Sequence, residues 1–137
     1  MVSRDELLAW ITALQKVYNE NKQYLTDLDA AIGDADHGIN MNRGFTNAVD
    51  DLTKNNPSDI SSVLKTVAMA LIRTVGGAAG PLYGTFFMRA SAVCANKTEL
   101  DAADVVALFE AGLDGVLQRG KAELNDKTMV DAQRPAL

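Results

Sequence analysis

Apolar residues recur every three to four positions along most of the chain, and the breaks in that repeat divide it into five helices. The first stripe is Leu7, Leu8, Ile11, Leu14, Val17 and Tyr18, behind a capping box with Ser3 as N-cap and Glu6 three residues on. Trp10 extends this stripe, and Tyr24, Leu25 and Leu28 continue it toward an acidic segment, so these aromatics are expected in the core. Phe45, Val49 and Leu52 mark a second helix that ends in Lys54-Asn55-Asn56-Pro57. Ser58 then suits the cap of a third, which carries Ile60, Val63, Leu64, Val67, Leu71 and Val75 and stops at Gly76-Gly77. Pro81 fits the first turn of a fourth helix through Phe86, Phe87, Ala90 and Val93. The fifth follows Asp101, with Val105, Leu108, Phe109, Leu113 and Val116 as its buried stripe and Gly120 as its stop. No useful run of period-two alternation occurs, which predicts an all-α fold.

Composition adds scale to that pattern. The 137 residues suit one domain, 1–137, and a content of 47% hydrophobic and 23% charged residues is that of a folded globular chain. A net charge of -5, with no Lys/Arg run or basic stripe, argues against nucleic acid as a partner. The charged N-terminus does not read as a signal peptide and no stretch reaches the length of a membrane span, so a cytoplasmic protein is expected. Cys94 is alone and sits among small apolar residues, which predicts a buried side chain rather than a reactive thiol.

The chemistry concentrates between the first two helices. Asp29, Asp34 and Asp36 put three carboxylates close together in a turn that also holds Gly33 and Gly38, a costly arrangement without cations. Carboxylates suit Mg²⁺, which keeps several waters and completes its shell with substrate phosphates. Two Mg²⁺ would offset most of the charge of three aspartates and a nucleotide diphosphate. A calcium loop of the EF-hand type is excluded, because Gly38 comes one residue early and the twelfth position from Asp34 is Phe45. A solvated acidic turn with Asp29 as a cap is the plainer alternative. His37 is the chain's one histidine, placed either to face phosphate or to orient the loop. Gly38, Asn40 and the backbone amide of Met41 would lie at the start of the second helix, where free N–H groups attract anions.

A second segment, Gly76-Gly77-Ala78-Ala79-Gly80-Pro81-Leu82-Tyr83-Gly84-Thr85, holds more glycine than a connector needs but lacks the ending of a P-loop. Glycine and proline there also serve as ordinary helix punctuation. Next to the acidic segment, however, its backbone amides would complete a phosphate site.

The strings Ile32 to Phe45 and Val75 to Thr85, followed by Arg119-Gly120-Lys121-Ala122-Glu123 and Asp126-Lys127-Thr128-Met129, resemble the nucleotide-binding L subunit of phosphotransferase-dependent dihydroxyacetone kinases. The resemblance covers nearly the whole chain. It implies an antiparallel helical bundle or barrel with ADP and two Mg²⁺ at one rim. Asp29, Asp34 and Asp36 would hold the metals. His37, Gly38, Asn40, Met41 and the turn Gly76, Gly77, Ala78, Ala79 and Gly80 would receive the phosphates, and Leu82, Gly120, Thr128 and Met129 would flank the adenine. It further implies two partners: a phosphohistidine carrier subunit that rephosphorylates bound ADP, and a subunit that holds dihydroxyacetone and receives the phosphate from ATP. Ala79 stands where many relatives have Ser, and the family continues past the point where this chain ends, so the barrel is expected to be incomplete at its C-terminus. Two alternatives remain at this level: the nucleotide domain of an ATP-dependent dihydroxyacetone or fatty-acid kinase, and a non-catalytic helical module that binds a protein partner.

Overall fold

A computed structural model of the chain describes residues 2–30, 37–75 and 79–120. The described residues form a two-stranded ribbon and five helices: β1 (Val2–Ser3), α1 (Arg4–Ala30), α2 (His37–Asn55), α3 (Ile60–Thr74), α4 (Ala79–Val93), β2 (Glu99–Leu100) and α5 (Ala102–Gly120). The all-α expectation is met apart from the ribbon, in which Val2 pairs with Leu100 and Ser3 with Glu99 in antiparallel register. Two-residue strands are too short to leave a periodic trace in a sequence.

Each helix packs on its neighbours in sequence, α1 on α2, α2 on α3, α3 on α4 and α4 on α5, joined by short connections. Short links between packed helices give an up-and-down arrangement. The C-terminal ends of α1, α3 and α5 therefore share one rim with the N-terminal ends of α2 and α4. Between α1 and α5 the described residues leave the ring open, bridged by the rings of Trp10 and Phe109 with centroids 6.2 Å apart.

The core follows the predicted stripes: Ile11, Met41, Phe45, Ile60, Leu64, Leu71 and Leu113 are fully buried. Phe45 stacks on Tyr18 with centroids 5.1 Å apart and meets Phe87 edge-on. Burial of each such aromatic ring stabilises the fold by roughly 1.5–3 kcal/mol. Cys94 is also fully buried, and desolvation pushes its thiol pKa up, as the sequence led us to expect.

Three local expectations need correction. Val17, Tyr24 and Leu28 are exposed, Tyr24 by 63%, so the predicted stripe of α1 is not covered along its whole length among the described residues. Val93 is exposed at the end of α4. Ser58 does not cap α3: Asp59 occupies that position in an extended conformation without a side-chain cap bond. The amide of Ile60 donates instead to the carbonyl of Lys97. The Ser3 cap forms as predicted, with the Glu6 amide donating to Ser3 Oγ at 3.2 Å.

Candidate functional site

The approach of α2 to α1 is set by Gly38, in the first turn of α2. A Cβ at this position would lie 2.0 Å from the Lys22 carbonyl oxygen and 2.9 Å from Thr26 Oγ1, so no side chain larger than hydrogen fits without moving backbone. Farther from the rim the same interface is held by Gln15, which donates to Thr46 Oγ1 at 3.3 Å.

The end of α3 gathers the rest. Val75 leaves the helix in an extended conformation while its amide donates to the Leu71 carbonyl at 2.9 Å. From the next helix, Gly80 approaches so closely that a Cβ would lie 2.3 Å from the Val75 carbonyl oxygen. From the other side, a Cβ on Gly44 of α2 would meet Val75 Cγ2 at 2.4 Å. Val75 is thus the point where α2 and α4 both close on α3. At the matching end of α5, Gly115 packs against Thr85 and Arg89 of α4, and Arg89 donates to Gln118 Oε1 at 2.9 Å.

This geometry brings several predicted residues to one rim. Asp29 lies in the last turn of α1, His37, Gly38, Asn40 and Met41 open α2, Ala79, Gly80 and Leu82 open α4, and Gly120 ends α5. Within this set, Gly38 and Gly80 are buried, Asn40 is partly exposed, and Met41 is fully buried. The Met41 side chain belongs to the core, and as the fifth residue of α2 its amide falls within the helix's own hydrogen bonds. Leu82 is half-buried and packs on the core. Asp34, Asp36, Gly76, Gly77, Ala78, Thr128 and Met129 lie outside the described residues, as do the side chains of Asp29, His37 and Ala79.

Below the rim, Tyr18 of α1 and Tyr83 of α4 lie near each other, and burial pushes both phenol pKa values up. They remain neutral across the physiological range. Two further polar groups were not singled out from sequence. Thr26 Oγ1 and Asn42 Oδ1 are buried oxygens without a hydrogen-bond partner. Only their placement in the α1–α2 pair marks them, because Thr and Asn inside a helix carry no sequence signal of their own.

Comparison with known proteins places these features. A profile of the DAK2 domain matches residues 31–137. The chain is 44% identical over 136 residues to a protein of Escherichia coli (strain K12) named PEP-dependent dihydroxyacetone kinase, ADP-binding subunit DhaL, a match covering 99% of this chain and 65% of that one. It is 43% identical over 134 residues to PEP-dependent dihydroxyacetone kinase 1, ADP-binding subunit DhaL, of Listeria innocua serovar 6a, covering 98% and 67%. It is 42% identical over 131 residues to PTS-dependent dihydroxyacetone kinase, ADP-binding subunit DhaL, of Lactococcus lactis subsp. lactis, covering 96% and 66%. The chain spans about two thirds of the length of these relatives. With a family profile over most of its residues and such identity throughout, the chain belongs to the DAK2 domain family.

Proposed function

We propose that this chain is the ADP-binding component of a dihydroxyacetone kinase, working in the cytoplasm with a phosphohistidine carrier and a dihydroxyacetone-binding subunit. The observation that carries the reading is that α2 and α4 begin at one rim, each with a buried glycine in its first turn and both closed against the end of α3. Helix N-termini offer free N–H groups and positive dipole ends to phosphate. At Gly38 and Gly80 the missing Cβ lets the helix start close on the Lys22 and Val75 carbonyls, which fixes where the two N-termini stand at the rim. The names of the relatives, ADP-binding subunits, support the same ligand.

In this reading His37, Gly38 and Asn40 hold one end of the diphosphate, and Gly76, Gly77, Ala78, Ala79 and Gly80 hold the other. Leu82, Gly120, Thr128 and Met129 flank the adenine. Asp29, Asp34 and Asp36 would hold two Mg²⁺, whose chemistry is to neutralise phosphate charge and orient the oxygens for in-line transfer. The chain's own part is to bind and align. Bound ADP would supply the β-phosphate oxygen that takes the phosphoryl group from the carrier's histidine nitrogen and then yields it to a hydroxyl oxygen of dihydroxyacetone, which gives up its proton. No nucleophile from this chain is required.

Isothermal titration with ADP, in Mg²⁺ and again in EDTA, tests the reading. Metal-dependent binding that is lost in Asp34→Asn is expected; absence of binding by the unaltered chain overturns it. Transfer from free ATP to dihydroxyacetone without a carrier would instead favour the single-chain kinase reading.

A further inference from the structure

The outer face of the α3 and α4 pair is charged against the trend of the chain. The whole sequence carries a net charge of -5, yet α3 and α4 hold Lys65, Arg73 and Arg89 and no carboxylate. On α3, Lys65, Met69, Ile72 and Arg73 follow one another at helical spacing and share one side of the helix, opposite the buried stripe of Val63, Leu64, Val67 and Leu71. Met69 is 51% and Ile72 46% exposed. One exposed apolar side chain means little, but these two adjoin and lie between cations on the same stripe.

Neighbouring helices hold this face in shape. Arg73 donates to Asp51 Oδ2 of α2 at 2.9 Å. The stem of Arg89 lies on Gly115 of α5, where a Cβ would come within 2.7 Å of its Cγ, and its guanidinium donates to Gln118 Oε1 at 2.9 Å. Ile72 uses the space left by Gly84 of α4, where a Cβ would come within 2.3 Å of its Cγ1. Both arginines and Ile72 are thus oriented before any partner arrives, which lowers the cost of association. A groove lies on each side of the α3 ridge. One, of about 360 Å³, has Asp51, Lys65, Thr66 and Arg73 in its walls, and the other, of about 420 Å³, has Ile72, Met88, Arg89 and Gln118.

We propose that this face docks an acidic amphipathic helix of a partner protein. A ridge between two grooves is the complement of a helix, whose own rows of side chains straddle the ridge. Met69 and Ile72 would meet the apolar stripe of that helix, and its flanking carboxylates would meet Lys65, Arg73 and Arg89. Arginine and methionine are also residue types enriched where proteins meet. Charge favours a protein helix over an anionic membrane or a nucleic acid: a helix touches only this patch, whereas an extended polyanion also faces the chain's excess of carboxylates. The surface contains none of the residues assigned to nucleotide above, so it would serve with or without ADP.

The probe is a synthetic helical peptide with Leu along one side and Glu along its flanks, titrated into the isotope-labelled chain and followed by NMR. A counterpart with Gln in place of Glu and vesicles of phosphatidylglycerol are titrated alongside. Saturable binding of the Glu peptide is expected, with shift changes gathered at residues 65–73 and 85–89 and affinity about tenfold above that of the Gln peptide. Ile72→Ser should weaken it about tenfold, and Lys65→Gln combined with Arg89→Gln about threefold to tenfold. Lys65→Glu should shift preference toward a Lys-flanked peptide, a gain that loss of folding cannot produce. Absence of saturable binding overturns the proposal, as do shift changes centred elsewhere, equal affinity for the Glu and Gln peptides, or binding of the vesicles in place of the peptide.

Discussion

The two ends of the bundle are built on opposite terms. At the end away from the candidate site, polar side chains tie the connections down. Arg4 donates to the Pro57 carbonyl and to Asn56 Oδ1. Lys97 pairs with Asp104 at 2.8 Å, and Asp101 and Asp104 cap α5 by each accepting from the other's amide. Asn56 and Asn96 take the positive φ values that end these turns. At the rim, by contrast, Gly38 and Gly80 close directly on backbone carbonyls, and two nearby buried oxygens lack partners. One end is tied by side-chain hydrogen bonds; the other is set by close approach of glycine to backbone. An apolar cavity of about 330 Å³, lined by residues such as Trp10, Leu100 and Phe109, lies at the tied end and contains none of the site residues predicted from sequence.

The sharpest way to break this contrast is to fill the close approaches. Gly38→Ala and Gly80→Ala would set a methyl 2.0 and 2.3 Å from backbone oxygens, contacts that a rotamer change cannot relieve. Each should cost about 1–3 kcal/mol or more, read as a fall in melting temperature, and should weaken ADP binding in whatever fraction folds. Gly44→Ala meets the side chains of Val75 and Leu71 rather than backbone and is expected to cost less than either. Arg4→Met at the other end should cost roughly 1–2 kcal/mol through its lost hydrogen bonds, seen in urea unfolding, while ADP affinity stays unchanged.

The smallest expected effect is a pH dependence at that same end. The hydrogen bond from Lys97 and the Asp101 amide hold the Asp104 pKa below the usual carboxylate value. A lowered folded pKa gives stability that is present above the unfolded value and is lost as pH falls through the folded one. Acid melting should therefore be less steep in Asp104→Asn, and the pair's exposure keeps the difference modest. Affinity for ADP at neutral pH should not change, which separates the two ends again.

The helices were legible because their stripes are long and their breaks carry Gly, Pro and Asn, and the Ser3 cap was legible because it is local. The exposure of Tyr24 and Leu28 was not: periodicity tells which residues share a face, but not whether another helix covers it. The close-packed glycines at the rim, Gly38 and Gly80, were legible because each belongs to a segment with more glycine than a connector needs. Thr26, Asn42 and Gly44 escaped because their meaning arises from a pairing of helices far apart in sequence, and each alone is an ordinary helical residue.

Hydrogen exchange of the backbone amides, with and without ADP and Mg²⁺, tests the division between the two ends most directly. Added protection is predicted in residues 37–44 and 79–84, with residues 2–10 and 99–109 unchanged. Protection centred on the Trp10 and Phe109 end, with the starts of α2 and α4 unaffected, would contradict the account.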